Sequence, residues 1–373
     1  MTATTVLSNA LIVAPEGDPR LGWVALDEGR LIEVAHSRPP AGARDLGGDL
    51  LLPGFVDLHN HGALGESLGS SEQGSREAIR WHRAHGTTTM IASVATADPE
   101  LMARHVSVLD ALTLEGELHG IHLEGPFLAH SHRGAHDAAL LRAPDPSLLG
   151  RLLSAAPGNV RIVTFAPELA GAANIVEVLD SAGVIPAIGH TSADSATVEG
   201  AFDHGVRLVT HLFNGMPGLH HRNPGPVGAA LADDRVVVEL IADGHHVHPG
   251  VLNLVLRAVG EDRIALVTDS SRAAGLGDGI FEGVEVRGGE ARTADGRSLA
   301  GSILTMDAAV RFVVRHAGWS ITAAARSAAT TPARVLGLES QTGSIRPGLA
   351  ADLVVLDPHL IVRSVYRQGV QVS

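Results

Sequence analysis

A (β/α)8 barrel carrying a small β-sandwich built from both chain ends is the fold class this sequence predicts. Three observations lead to it. Both ends of the chain show short alternating strands divided by Gly and Pro turns. Between them, apolar strand-like runs alternate with segments of helical periodicity. Nearly every run then ends in an imidazole or a carboxylate, at the place where barrel enzymes carry their chemistry.

Thr5-Val6-Leu7, Ala10-Leu11-Ile12-Val13, Gly22–Leu26 and Arg30–Val34 read as strands at the start, and Asp352–Leu356 and Ile361–Tyr366 as their counterparts at the end. Residues 1–52 and 343–373 are therefore assigned to the sandwich and 53–342 to the barrel. The run Pro53–Gly62 supplies the first barrel strand. Thr87–Ser93, Leu118–Glu124, Arg161–Pro167, Val184–Gly189, Arg207–His211, Val236–Ala242 and Ile264–Asp269 supply the rest. Helices are expected over Glu77–His85, Pro99–Leu112, Ala172–Ala182, Ser195–His204 and Pro249–Val259, with Asp307–Ala317 and Ile321–Leu336 closing the barrel. An open doubly wound sheet is the alternative, but no Gly-rich phosphate loop follows the first strand. The glycine-rich residues 275–300 read as a hairpin or flap.

Composition narrows the function. A formal charge of −13 argues against nucleic acid as a partner. There is no cysteine, which removes disulfides, thiolate metal sites and thiol nucleophiles. All 28 basic residues other than histidine are arginine, so Schiff-base chemistry and carbamylated-lysine metal bridges are excluded. Met1–Pro15 has no basic segment ahead of its apolar residues, and no apolar run reaches membrane-spanning length. A cytoplasmic protein with no membrane partner is expected.

The strand ends carry the chemistry. Asp57, His59 and His61 alternate along one strand and so share a face. Glu124 ends the third strand, His190 the fifth, His211 the sixth, Asp243 with His245 and His246 the seventh, and Asp269 the eighth. Converging imidazoles and carboxylates form a nitrogen and oxygen donor set suited to a divalent ion, Zn first and Fe or Co next. Glu124, His190 and His211 make a three-ligand site with an open position, and His59 and His61, with Glu124 as a bridge, could hold a second ion. The remaining histidines have plainer readings. His82, His85 and His105 are read as helix surface, His204 and His316 as helix ends, His122 as core, and His130 and His132 as loop.

The order of these motifs resembles the amidohydrolase superfamily and, within it, the N-acetylglucosamine-6-phosphate deacetylases. The resemblance rests on Pro53–Gly62, His122–Phe127, Gly134–His136, Gly189–Thr191, His211–Met216, His221–Gly225, Ala242–Val247, Thr268-Asp269, Leu299–Ser302 and the ending Gly343–Gly348. It implies a (β/α)8 hydrolase acting on a phosphorylated amino sugar, with His59, His61, Glu124, His190 and His211 as metal ligands and Asp269 as the proton-transferring acid/base. It also implies substrate contacts from Ala135, His136, Asn214, Gly215, Arg222, His246 and Leu299, Ala300 and Gly301. The arginine in such proteins can come from the partner subunit, which implies a homodimer. On spacing alone, Arg222 reads equally well as a solvated surface charge; His220 and His221 beside it favour phosphate. One or two ions per subunit fit, since both first-strand histidines are present. The alternatives are a deacetylase for another N-acetylhexosamine (phosphate) or an N-acyl amino acid, and a non-catalytic barrel, which would be expected to have lost ligands.

Overall fold

The computed structural model describes residues 4–14 and 17–373; Met1–Ala3, Pro15 and Glu16, within the stretch assigned to the sandwich and read for a targeting signal, lie outside it. The barrel strands are Phe55–Asn60, Thr87–Ala95, Ile121–Glu124, Val160–Phe165, Ile185–Ile188, Leu208–Val209, Val237–Ile241 and Ile264–Val267. Each pairs in parallel with the next, and their side chains are almost all buried, as a sheet covered on both faces requires.

The first and eighth strands close the circle without a regular ladder. A single parallel bridge, Asn60 to Ser270, joins them. The Asp269 amide donates to the His59 carbonyl and the His61 amide to that of Ser270, both at 2.8 Å. Below this, a side chain bridges the gap. The fully buried Asp57 carboxylate accepts from the Thr268 amide at 3.1 Å, the Thr268 hydroxyl at 2.6 Å and the Asn60 amide group at 3.1 Å. Asp57 thus serves barrel closure and joins neither cluster of donors at the mouth.

The outer helices begin where the sequence offers caps. Ser71, Asp98, Asp145 and Asp194 accept from backbone amides two or three residues on, ahead of helices Glu72–Ala84, Pro99–Leu114, Pro146–Ser154 and Ser195–Asp203. Ala172–Ser181, Pro249–Val259 and Met306–His316 lie close to their expected bounds. Helices Pro146–Ser154 and Gly225–Ala232 were not anticipated. The first is short and the second is mostly Gly, Pro and Ala, which weakens any periodic signal. The final helix expected over Ile321–Leu336 contains a π turn at Arg326–Thr330, just ahead of Pro332, which has no N–H to donate.

His82 departs from its expected surface position. Helix Glu72–Ala84 turns Ser75, Ala78, Ile79 and His82 toward the barrel, and His82 is fully buried with Nε2 donating to the Gly62 carbonyl at 3.1 Å. His85 is half-buried and pairs with Asp307 at 3.2 Å, and His105 is half-buried beside the main cavity.

The chain ends form one eight-stranded sheet around a core that includes Leu7, Ile12, Val24, Leu31, Leu353, Val355 and Tyr366. Thr5–Ile12 is one strand, not two. It kinks at Asn9, whose φ of 54° coincides with a register shift against Arg20–Asp27. Leu50–Pro53 sits between Thr5–Ile12 and Leu353–Leu356, and runs straight on into the first barrel strand. The flap is a three-stranded antiparallel sheet, Gly279–Phe281, Val284–Arg287 and Glu290–Thr293, with its own small core of Ala273, Val286 and Ala291. Among the described residues no helix is long and apolar enough to cross a membrane.

Burial holds the His82 and His119 imidazoles down at about 4. The unfolded chain therefore binds their protons first, near the ordinary value of about 6.5. The stabilisation these groups give is full above that value and is lost as pH falls through it toward 4. For His119, which is remote from the barrel mouth, the loss should reach about 3 kcal/mol. The urea midpoint of His119→Gln is expected to fall less steeply than that of wild type between pH 6.5 and 4; parallel curves would contradict this.

Candidate metal and active site

The strand ends meet at the barrel mouth in two groups that share one carboxylate. In the first, Glu124 Oε1 lies 3.1 Å from His190 Nε2 and 3.0 Å from His211 Nε2, and those two nitrogens are 3.1 Å apart. In the second, His59 Nε2 and His61 Nε2 are 3.0 Å apart, and Asp269 Oδ1 is 3.4 Å from the first and 3.3 Å from the second. Glu124 spans both, with Oε1 3.6 Å from His59 Nε2 and Oε2 3.3 Å from His61 Nε2. His136 Nε2 adds a further contact to Glu124 Oε2 at 3.2 Å.

The backbone delivers these groups under strain. His190, His211 and Asp269 have φ of 47°, 30° and 46°, in the left-handed region that ordinary residues avoid. The chain turns abruptly two residues past the end of each of these strands and aims that side chain across the mouth. Strain of this kind persists where surrounding structure over-determines it, and it concentrates at functional sites. Two glycines leave the needed space. A Cβ on Gly215 would lie 2.6 Å from His190 Nδ1, and one on Gly301 would lie 2.8 Å from the Asp269 carbonyl oxygen.

The donor set fits a divalent cation. Each group brings three ligand atoms together, all within 4.8 Å of one another. Ring nitrogens facing each other near 3 Å are poorly matched as hydrogen-bond partners, but suit atoms that share one ion at about 2 Å. The second ring nitrogens are steered elsewhere. His190 Nδ1 donates to the His132 carbonyl at 2.9 Å, and His59 Nδ1 faces the Glu239 carboxylate at 3.3 Å. Glu239 is a buried acid inside the apolar strand Val237–Ile241 and was passed over in the sequence; a carboxylate within such a run is the signal that marks it.

The charges are mutually stabilising. Burial raises the cost of ionising Asp269, but the His59 charge and the His61 hydrogen bond outweigh it and hold the carboxyl well below its usual range. Burial likewise disfavours a charged His61, yet Asp269 and Glu124 push it up to about 9. For His136, burial wins over the pull of Glu124 and keeps the ring neutral. His122 is also kept neutral by burial, and sits below the cluster between Ser93 and Thr164 as core.

A cavity of about 570 Å³ opens over these groups. It is lined by His61, Glu124, His190, His211 and Asp269, and by Ala135, His136, Asn214, Gly215, His246, Leu299, Ala300 and Gly301. His246 is fixed by its Nδ1 contact to Asp243 at 2.7 Å. Arg222 stands apart. It lies exposed on the turn His220–Asn223 and does not line the cavity of its own chain. His105, read from the sequence as helix surface, lines the cavity, as does Arg272, which was not singled out.

A parallel barrel with buried imidazoles and carboxylates meeting at the strand ends is the architecture of a metal-dependent barrel hydrolase. The family model described as the amidohydrolase family matches residues 50–372. The chain is 35% identical over 360 residues to an N-acetylgalactosamine-6-phosphate deacetylase of Escherichia coli O157:H7, covering 93% of this chain and 95% of that one. It is 38% identical over 347 residues to the N-acetylglucosamine-6-phosphate deacetylase of Bos taurus, covering 87% and 84%. The structure of a point mutant of N-acetyl-D-glucosamine-6-phosphate deacetylase from Mycobacterium smegmatis, in complex with N-acetyl-D-glucosamine 6-phosphate, superposes with a TM-score of 0.95 at 40% identity over 99% of each chain. The chain belongs to the amidohydrolase family.

Metal analysis of the purified protein should give one or two divalent ions per chain, and Glu124→Gln, which alters the donor common to both groups, should retain far less. A fully active wild type with less than one ion per chain would contradict this account of the site.

Proposed function

We propose that the chain hydrolyses the N-acetyl group of N-acetyl-D-glucosamine 6-phosphate to D-glucosamine 6-phosphate and acetate. The observation that carries this reading is the convergence of Glu124, His190 and His211 opposite Asp269 at the floor of the cavity. Glu124, His190 and His211 would hold a catalytic divalent ion, with zinc the best match to the donor set and iron or cobalt the next. His59 and His61, with Asp269 or Glu124, would hold a second. When bound, the ion supplies Lewis acidity toward the amide carbonyl and lowers the pKa of a water.

The chain's own groups supply the rest. Asp269, present as a carboxylate, takes the proton of the attacking water and then returns it to the nitrogen as the C–N bond breaks. Neutral His136, whose Nε2–H faces Glu124, borders the place of the acetyl group. Asn214 and Gly215 offer backbone groups to the sugar, and the Leu299–Gly301 segment walls its other side. His246, oriented by Asp243, reaches toward the phosphate end.

Arg222 supports a homodimer in this reading. A guanidinium is the natural partner of a phosphate, and this one stands outside its own cavity on an exposed turn, where it could serve a second subunit. A phosphorylated sugar is retained inside the cell, which supports a cytoplasmic site for the reaction. N-acetylgalactosamine 6-phosphate is the second substrate to test, since a relative at 35% identity bears that activity in its name.

The deciding measurement is acetate release across N-acetylglucosamine and N-acetylgalactosamine, each with and without 6-phosphate. N-acetylglucosamine 6-phosphate should give the highest kcat/KM, and equal rates without phosphate would refute the assignment. Asp269→Asn should retain metal and lose turnover by at least about 10²-fold, the scale of a general acid–base contribution; near-normal acetate release would remove it from the mechanism. Arg222→Ala should raise KM for the phosphorylated sugar only. Equal losses on both forms would refute its phosphate role.

A further inference from the structure

We propose that Glu239 is the positioning residue that holds ligands of both metal groups, fixing the His59 ring and the His211 backbone from one carboxylate. The proposal rests on the metal reading of the site and not on the identity of the substrate.

Glu239 lies in the middle of strand Val237–Ile241, points into the barrel and is fully buried. Its Oε2 lies 3.3 Å from His59 Nδ1 and 3.3 Å from the His211 backbone nitrogen. Its backbone carbonyl accepts from the Leu212 amide at 2.9 Å. The residue therefore brackets His211, taking the amides on either side of its carbonyl carbon. This is the point where the backbone is forced to a φ of 30°. The same oxygen accepts from His59 Nδ1–H, which directs His59 Nε2 at His61 and Asp269 and makes it the nitrogen that would ligate an ion. The rings of His59 and His211 stack with centroids 5.5 Å apart and planes inclined by 27°.

Chemistry favours this assignment over a packing role. A carboxylate is among the groups least often fully buried, and this one has a second oxygen, Oε1, that meets no donor among the described residues. An apolar residue would fill the position with less cost to the fold. What an apolar residue could not do is set the His59 tautomer. An imidazole ligates through one nitrogen only if its proton sits on the other, and an anion at that proton also raises the ring's basicity.

The test compares wild type, Glu239→Gln and Glu239→Leu, stripped and reloaded with zinc, by competition with a chelator. Glu239→Gln keeps the shape and an acceptor but loses the charge. It should weaken zinc retention about 10–100-fold, the range for partners that orient metal ligands. The melting temperature of the metal-free protein should stay near that of metal-free wild type. Glu239→Leu should also redistribute the His59 proton between its two nitrogens, read from the ¹⁵N shifts of labelled histidine. Wild-type zinc retention in Glu239→Gln would overturn the proposal, as would a fall in metal-free melting temperature large enough to account for the lost affinity. If Glu239→Leu does not fold, the glutamine variant decides alone. Zinc bound by the wild-type protein with no deacetylation would sink the substrate assignment and leave the comparison with Glu239→Gln intact.

Discussion

One carboxylate organises the mouth of this barrel. Glu124 stands within 3.0 to 3.6 Å of the ring nitrogens of His59, His61, His136, His190 and His211. A buried anion is tolerated only where positive charge or hydrogen-bond donors surround it. That requirement draws in imidazoles from the first, fifth and sixth strands and from the loop after the third. Two features keep them there: strained turns at the strand ends, and a seam between the first and eighth strands held by Asp57. If the seam opened, His59 and His61 would part from Asp269, since they belong to opposite sides of it.

Much of this was legible in the sequence because strands and their ends follow local rules. A covered parallel strand needs an apolar run, and the groups that reach the mouth stand where the run stops. Glu124, His190, His211 and Asp269 each follow such a run, so their convergence could be anticipated without knowing distances. The alternation in His59 and His61 likewise fixed their common face. Asp57 shares that alternation but not that destination, because its carboxylate is claimed by Thr268 across the seam, a contact between residues far apart in the chain.

Other features depended on information a single strand or helix does not contain. His82 was placed on the surface because histidine is polar, although Ser75, Ala78, Ile79 and His82 recur at the spacing of one helical face. The signal was present, but two of its four positions, Ser75 and His82, are polar. Glu239 was overlooked for the opposite reason, being one acid inside an otherwise apolar strand. His105 and Arg272 reach the cavity only through the packing of a helix and a post-strand loop, for which no local pattern exists. Whether Arg222 meets a ligand depends on a surface outside its own chain's cavity.

The terminal sheet carries a further implication, for biosynthesis. Leu50–Pro53, which leads straight into the strand bearing His59, has Leu353–Leu356 as one of its two neighbours. A nascent chain emerging from the ribosome would hold this strand with an unpaired edge until Leu353–Leu356, about 300 residues later, had been made. Pairings between such distant segments form slowly. During that interval a growing chain would offer its open margin to any neighbouring polypeptide, so folding helpers acting late in translation would matter more to this protein than its compact finished form suggests.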